Sequence, residues 1–168
     1  MSRRRGLMMA GGDGTWKTTP HDLTDYQGPG FVVSQSSDQD DVRLAWRAMD
    51  GGLLEEQNES HTGSIGPNWW RIDFDKPVTI GQVGWQWRLA SDGAVKDESN
   101  WDAAVKHVML QGSDDGEAWI DVQEIEHPGV GDITVEIGDQ RAFRSWRLLS
   151  LETGYLIIGE LEFTYKEA

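Results

Sequence analysis

The chain of 168 residues contains no cysteine. This absence excludes a disulfide scaffold, a thiol nucleophile and thiolate metal ligands. A chain of this length buries roughly 70% of the surface that its unfolded form exposes, so it needs neither a disulfide nor a metal in order to fold. We therefore expect one domain with an ordinary hydrophobic core.

Long apolar runs are absent as well. No stretch reaches the length that crosses a bilayer, and the apolar run at residues 7–10 is shorter than a secretory signal requires. We therefore expect no membrane insertion and synthesis in the cytoplasm without a signal peptide. If the protein acts outside the cell, it must leave by another route, for example within a virus particle.

Positive charge is scarce, because 15 lysines and arginines face 29 acidic residues and the net charge is −14. Such a chain repels phosphate backbones, so we expect no nucleic-acid partner, whereas divalent cations would be attracted. The four histidines show no metal-ligand spacing, and neither a nucleophile elbow nor a phosphate-binding glycine loop is present. We expect a protein that binds rather than an enzyme.

What the sequence does contain is a series of short runs with β-type alternation, separated by turn signals. In residues 69–74, for example, Trp70, Ile72 and Phe74 would face one way. The strand-like runs predict an all-β, antiparallel sandwich over residues 31–168, with one or two helical turns at residues 41–49. Besides those of the run at residues 69–74, four tryptophans lie on these runs and are expected in the core: Trp85, Trp87, Trp119 and Trp146.

Several phrases follow the order of a discoidin (coagulation-factor type C, galactose-binding-like) domain, and the resemblance spans roughly residues 31–165. The matching phrases are Trp46-Arg47-Ala48-Met49-Asp50-Gly51, Trp70-Arg71-Ile72-Asp73-Phe74, Gly112-Ser113-Asp114-Asp115-Gly116-Glu117-Ala118-Trp119, Arg144-Ser145-Trp146-Arg147-Leu148 and Ile158-Gly159-Glu160-Leu161-Glu162-Phe163. The resemblance implies an eight-stranded jelly-roll β-sandwich that binds glycans, lipids or proteins through loops at one end. It implies no catalytic activity.

The resemblance also implies a structural Ca²⁺ site, since many relatives hold the ion with residues at the positions of Asp50 and Glu160. Calcium takes six to eight oxygen ligands, which loop carbonyls and two carboxylates could begin to supply. The loop after Asp50 departs from the compact hydroxyl-rich pattern of calcium-binding relatives. The alternative is that Asp50 caps a turn and Glu160 pairs with an arginine.

A ligand face is expected on the loops, because loops carry most binding residues. Trp101 offers an aromatic platform for a sugar ring, and Arg88, Asn100 and His61 offer groups for its hydroxyls. The alternative is that Trp101 packs beneath its own loop as a satellite core residue.

Residues 1–30 predict an N-terminal arm and loop, which is either a disordered tail or an extension that packs on a partner through Leu7, Met8, Met9 and Trp16. Its arginine-led, methionine-rich opening resembles those of small tail and head-appendage proteins of bacteriophages.

Two hypotheses about function follow from these expectations. The first is a virion structural protein whose arm contacts other virion subunits and whose head contacts a host glycan or neighbouring protein. The second is a free carbohydrate-binding module, which would be cytoplasmic as made.

Overall fold

The computed structural model describes residues 14–38, 44–51, 60–63, 66–86, 105–129 and 131–168. Within them the chain forms β-strands and one 3-10 helix, Ala45–Met49. The strands are Lys17–Thr18 (β1), Gln27–Gly28 (β2), Phe31–Gln35 (β3), Ser60–His61 (β4), Trp69–Gln86 (β5), His107–Ser113 (β6), Ile120–Glu126 (β7), Asp132–Glu136 (β8), Phe143–Ser150 (β9), Ile157–Ile158 (β10) and Glu160–Glu167 (β11). All pairings are antiparallel, and the predicted all-β sandwich is confirmed.

The 18-residue strand β5 belongs to both layers of the sandwich. Its first half pairs with β3 and β9, β9 also pairs with β6, and β6 pairs with β7. Its second half pairs with β11 and β8. The alternation in the sequence predicts two strands here, but the chain continues through Pro77 with a register irregularity against β9 between Asp73 and Val78. Proline lacks the N–H that a regular ladder needs, which accounts for a shift at this place.

The core lies between the two layers. Trp70, in the first half of β5, stacks on Phe163 of β11 with ring centroids 5.9 Å apart, so the two halves of the long strand face each other. Trp70, Trp85 and Trp146 are fully buried, which confirms the core prediction for Trp85 and Trp146. The prediction is wrong for Trp119, which is only partly buried and lies on the outer face, and Trp87 lies outside the described residues.

The described part of the N-terminal segment packs on the sandwich itself. Strand β1 pairs with β11 and β2 pairs with β3, so both add to the sheet. Leu23 joins the core. Gly81 leaves room for the ring of Trp16, which would lie 2.5 Å from a Cβ at that position. Residues 14–30, assigned to an arm from the sequence, are therefore held by their own domain, and residues 1–13 lie outside the described part of the chain.

Among the residues described, no helix has the length and apolar character that a membrane span requires.

Candidate functional site

Three points of the chain, each at or within two residues of a strand end, contact residues 155–159. The backbone N–H groups of Val105 and Thr62 donate to carbonyls of this segment at 2.9 and 3.1 Å, and the carbonyl of Gln86 accepts an N–H from it at 3.1 Å. Strand β4 also pairs with β10 within the same segment. The chain therefore enters residues 87–104 directly after Gln86 and leaves them directly before Val105. It leaves residues 52–59 shortly before Thr62. All three of these residues hydrogen-bond to the backbone of residues 155–159.

The end of β5 is fixed from the other side by a buried histidine. The ring of His127 lies 4.9 Å from the ring of Trp85, and its Nε2 is 3.3 Å from the Trp85 carbonyl oxygen. Its Nδ1 accepts the N–H of Gly129 at 3.0 Å. Because Trp85 directly precedes Gln86, these contacts hold the point from which the chain enters residues 87–104. Burial lowers the pKa of His127, which favours the neutral ring that these contacts use.

Of the four predicted ligand-binding residues, the structure describes the backbone of one. His61 lies in β4 opposite Ile157, which belongs to the segment 155–159 just described. Arg88, Asn100 and Trp101 lie outside the described residues. Their roles, and that of the His61 side chain, stay predictions.

The two predicted metal ligands, Asp50 and Glu160, both adjoin Gly51: Asp50 precedes it in the sequence, and Glu160 contacts its backbone. The Gly51 N–H donates to Glu160 Oε2 at 3.1 Å, and Asp50 pairs with Arg47 at 3.1 Å. Both carboxylates are buried, with side-chain exposures of 7% each. Burial is the main cause of the raised pKa of Glu160, and the negative charge of Asp50 raises it further.

A histidine from the N-terminal segment occupies the other side of Glu160. His21 Nδ1 is 2.7 Å from Glu160 Oε1, and His21 Nε2 is 2.6 Å from Glu162 Oε2. A neutral imidazole has one N–H, whereas carboxylates only accept, so two such contacts fit the doubly protonated ring. The hydrogen bond to Glu160 is the main cause of a raised pKa of His21. The alternative partner predicted for Glu160, an arginine, is thus replaced by this histidine.

These contacts do not fit a calcium site. Both oxygens of Glu160 face N–H donors, Asp50 is paired with Arg47, and the described residues contain no group of three or more His, Cys, Asp or Glu that could hold a metal ion. Calcium needs six to eight oxygens, and this carboxylate pair is engaged by cationic and backbone donors instead. Calcium binding by Asp50, Glu160 and loop carbonyls stays a prediction, and it would require the ion to replace these contacts.

The ion pair of His21 is expected to make stability depend on pH above 6.5. The folded-state pKa lies above the unfolded value of 6.5, so the stabilisation is complete below pH 6.5 and is lost as pH rises through the raised pKa. We expect the free energy of unfolding, measured in urea between pH 6 and 9, to fall with pH in the wild type and to stay flatter in His21→Gln.

His107→Gln is the matched control for this pH dependence, because His107 pairs with Glu124 on the surface, away from this cluster. The lowered pKa of His127 has the opposite sign, with its stabilisation present above pH 6.5 and lost as pH falls, so it does not confound the range above 6.5. Equal slopes for the wild type and His21→Gln would contradict the assignment.

A second polar cluster lies on the outer face of the layer formed by β3, β5, β9, β6 and β7, and the sequence did not predict it. Trp119 lies beside two guanidiniums, with Arg147 Cζ 4.1 Å and Arg71 Cζ 5.2 Å from its ring centroid. We call these three residues the Arg–Trp–Arg cluster. Arg71 and Arg147 come from sequence positions far apart and meet only because β5 and β9 pair in this register.

The tight turn at residues 113–116 positions Trp119. Gly116 has φ +76°, as the Asp-Gly pair predicts, and its missing Cβ leaves space for the guanidinium of Arg71, which would otherwise lie 2.4 Å away. Asp115 Oδ1 accepts the N–H groups of Glu117 and Ala118 at 2.8 Å each. These bonds lower the pKa of Asp115 and keep it ionised. The Gly-Ser-x-Asp-Gly-x-x-Trp phrase therefore builds a rigid support for a partly exposed ring.

The two-layered antiparallel sandwich is the architecture of a galactose-binding-like β-sandwich domain. A model of the NedA-like, galactose-binding domain of the F5/F8 type C class matches residues 47–148. The chain belongs to this family. A search of curated protein sequences gave no match.

Solved structures share the fold. The module CpGH89CBM32-5 from Clostridium perfringens, in complex with GalNAc-β-1,3-galactose, is 20% identical, with a TM-score of 0.62 over 80% of this chain and 94% of that chain. The family 32 carbohydrate-binding module of NanJ from the same organism, in complex with galactose, is 14% identical, with a TM-score of 0.63 over 89% and 99%. A fucose-binding module of Streptococcus pneumoniae is 20% identical, with a TM-score of 0.59 over 79% and 89%.

Proposed function

We propose that the protein is a non-enzymatic glycan-recognition module whose ligand site is formed by residues 52–61 and 87–104. The observation that carries the proposal is the convergence of Gln86, Val105 and Thr62 on residues 155–159, since both segments are anchored there. Membership of a galactose-binding family and the sugar complexes of similar modules support it. A fold alone does not fix a ligand, so the proposal depends on this anchoring.

The chemistry of the segments suits a sugar. Trp101 would stack against the C–H face of the ring, and Arg88, Asn100 and His61 would hydrogen-bond its hydroxyls, which is the usual division between apolar walls and a few polar groups in a ligand site.

A glycan array tests the proposal. We expect the wild type to bind a limited set of glycans, and Trp101→Ala to lose that binding, because the aromatic platform supplies most of the contact. Trp16→Ala is the matched control: Trp16 packs on Gly81 of the second half of β5 and should leave binding unchanged. Repeating the array with calcium and then with chelator tests the predicted ion. No binding by the wild type in either condition would overturn the proposal.

The finer proposal is that the module is a virion component, with its N-terminal residues 1–13 contacting neighbouring subunits. In its support, Lys17–Thr18 lies at the end of the strand order beside β11, so the preceding residues start from an edge of the sheet. Electron microscopy of particles assembled with full-length protein and with protein lacking residues 1–13 tests this. Unchanged incorporation of the shortened protein would contradict the role of residues 1–13, and absence of the full-length protein from the particles would favour the alternative, a free carbohydrate-binding module.

A further inference from the structure

The pairing register places five polar side-chain positions in one row across the outer face. Ser34 of β3 is opposite Arg71 of β5, Arg71 is opposite Arg147 of β9, Arg147 is opposite Gln111 of β6, and Gln111 is opposite Asp121 of β7. In each central strand the residue next to the row member, such as Ile72, Trp146 or Leu110, is buried in the core. Because successive side chains of a strand point to opposite faces, the row itself lies on the outer face. Trp119 lies over the two arginines.

Of the two arginines of this row, only Arg71 has a carboxylate partner among the described residues. Arg71 pairs with Asp73 at 2.7 Å, and Asp73 also accepts the Ser145 hydroxyl at 2.5 Å. Arg147 donates its Nε–H to Gln111 Oε1 at 2.6 Å, and Gln111 in turn donates to Asp121 at 2.5 Å. Across the part of the chain that the structure describes, no carboxylate lies within ion-pair distance of Arg147.

Arg147 is thus a partly buried cation beside a second cation, without an ion-pair partner. Burial, and then the charge of Arg71, lower the pKa of Arg147, while the charge of Asp121, which lies beyond ion-pair distance, partly opposes them. Adjacent guanidiniums repel each other, and the arrangement is stabilised when an anion bridges them. The rigid planar fork of arginine matches a carboxylate through two parallel hydrogen bonds, which makes a carboxylate the complementary ligand group.

We infer that the Arg–Trp–Arg cluster is a second binding site, which takes the carboxylate of an acidic sugar on Arg147 and the sugar ring against Trp119. The carboxylate follows from the charges on this face alone, whereas the sugar ring rests on the proposed glycan-binding function. Because the chain carries a net charge of −14, its overall field repels anions, and the two adjacent guanidiniums locally favour a ligand with a localised negative charge.

The alternative is that the cluster only holds the turn at residues 113–116 against the sheet. The two possibilities differ in their ligand response, because a purely structural cluster would not change its environment on addition of an acidic sugar. The indole N–H of Trp119 and the Nε–H of Arg147 are resolvable probes of this environment in NMR spectra of the full chain.

The experiment titrates glucuronate and N-acetylneuraminate into the wild-type chain, with glucose, acetate and a poly-glutamate peptide as comparisons. We expect saturable shifts of the Trp119 and Arg147 signals with at least one acidic sugar and weaker effects with glucose and acetate. Arg147→Gln should weaken binding about tenfold or more, since it removes a charge-assisted pair of hydrogen bonds, and Arg147→Lys should weaken it less. Arg141→Gln, which removes the same charge at a surface pair with Asp139, should leave affinity unchanged.

Several outcomes would overturn the inference: no saturable shift, equal shifts with glucose or acetate, or equal losses in Arg147→Gln and Arg141→Gln. Binding of the peptide but of neither sugar would also overturn it, in favour of a protein partner. If Arg147→Gln does not fold, Trp119→Phe and Arg147→Lys provide the same comparison. Titration of Trp101→Ala separates the two sites, because its signals at Trp119 should respond to acidic sugars even if the proposed loop site binds nothing.

Discussion

Replacement of Trp70 by alanine is expected to lower the free energy of unfolding by about 3–5 kcal/mol, the range for removing a large aromatic side chain from a packed core. Trp70 is fully buried, stacks on Phe163 at 5.9 Å and donates its indole N–H to the Ala45 carbonyl at 2.9 Å. It therefore connects β5, β11 and the 3-10 helix. Its loss creates a cavity and leaves a buried carbonyl without that donor.

Trp69→Ala is the matched control for this loss, because the neighbouring residue has the same side chain on the opposite face of the strand. Trp69 is only partly buried and is opposite Leu149 on the outer face. We expect its replacement to cost about 1 kcal/mol, as for a substitution outside the core. Urea denaturation followed by circular dichroism measures both values. Similar losses for the two variants would show that the stacking and burial of Trp70 do not govern stability.

The predictable part of the fold is the part that alternation encodes locally. Trp70, Ile72 and Phe74 are all buried, as their period-two spacing predicts, and Asp115-Gly116 forms the expected turn. Each of these features depends on a few neighbouring residues, because side chains on a strand alternate between faces and a tight turn needs a residue that tolerates positive φ. The order of the five family phrases then indicated how the strands are arranged.

The partners of individual side chains were not predictable, because they depend on strand register over long separations. Nothing near Trp119 in the sequence indicates that Arg71 and Arg147 will lie beside it, so the residue was assigned to the core. Glu160 was likewise expected beside a calcium ion or an arginine, whereas its partner His21 is 139 residues away and reaches it through the N-terminal segment. The Leu23 and Trp16 contacts that hold this segment on the sandwich have no periodic pattern to indicate them.

The same limit applies to Gly112, and it leads to the second large prediction. Gly112 lies inside β6 without a positive φ, next to a register irregularity between Leu110 and Gln111, so no turn geometry requires a glycine there. In the structure, a Cβ at this position would lie 2.1 Å from Cδ2 of the Phe143 ring. Phe143 is itself buried and packs edge-on against Trp146 with ring centroids 5.2 Å apart, so it has little room to move.

Gly112→Ala is therefore expected to lower the free energy of unfolding by about 1–3 kcal/mol, as for overpacking of a well-filled core. Gly138→Ala is the control, because a Cβ there meets nothing within 4 Å. A double-mutant cycle with Phe143→Leu identifies the cause: when the ring edge is absent, Gly112→Ala should cost less by about 1 kcal/mol or more, the size of coupling found between residues in contact. Urea denaturation of the four proteins of the cycle and of the control measures these differences. Additive losses would show that the strand backbone, rather than Phe143, requires the glycine, and the aromatic packing of this layer would then tolerate side chains at its centre.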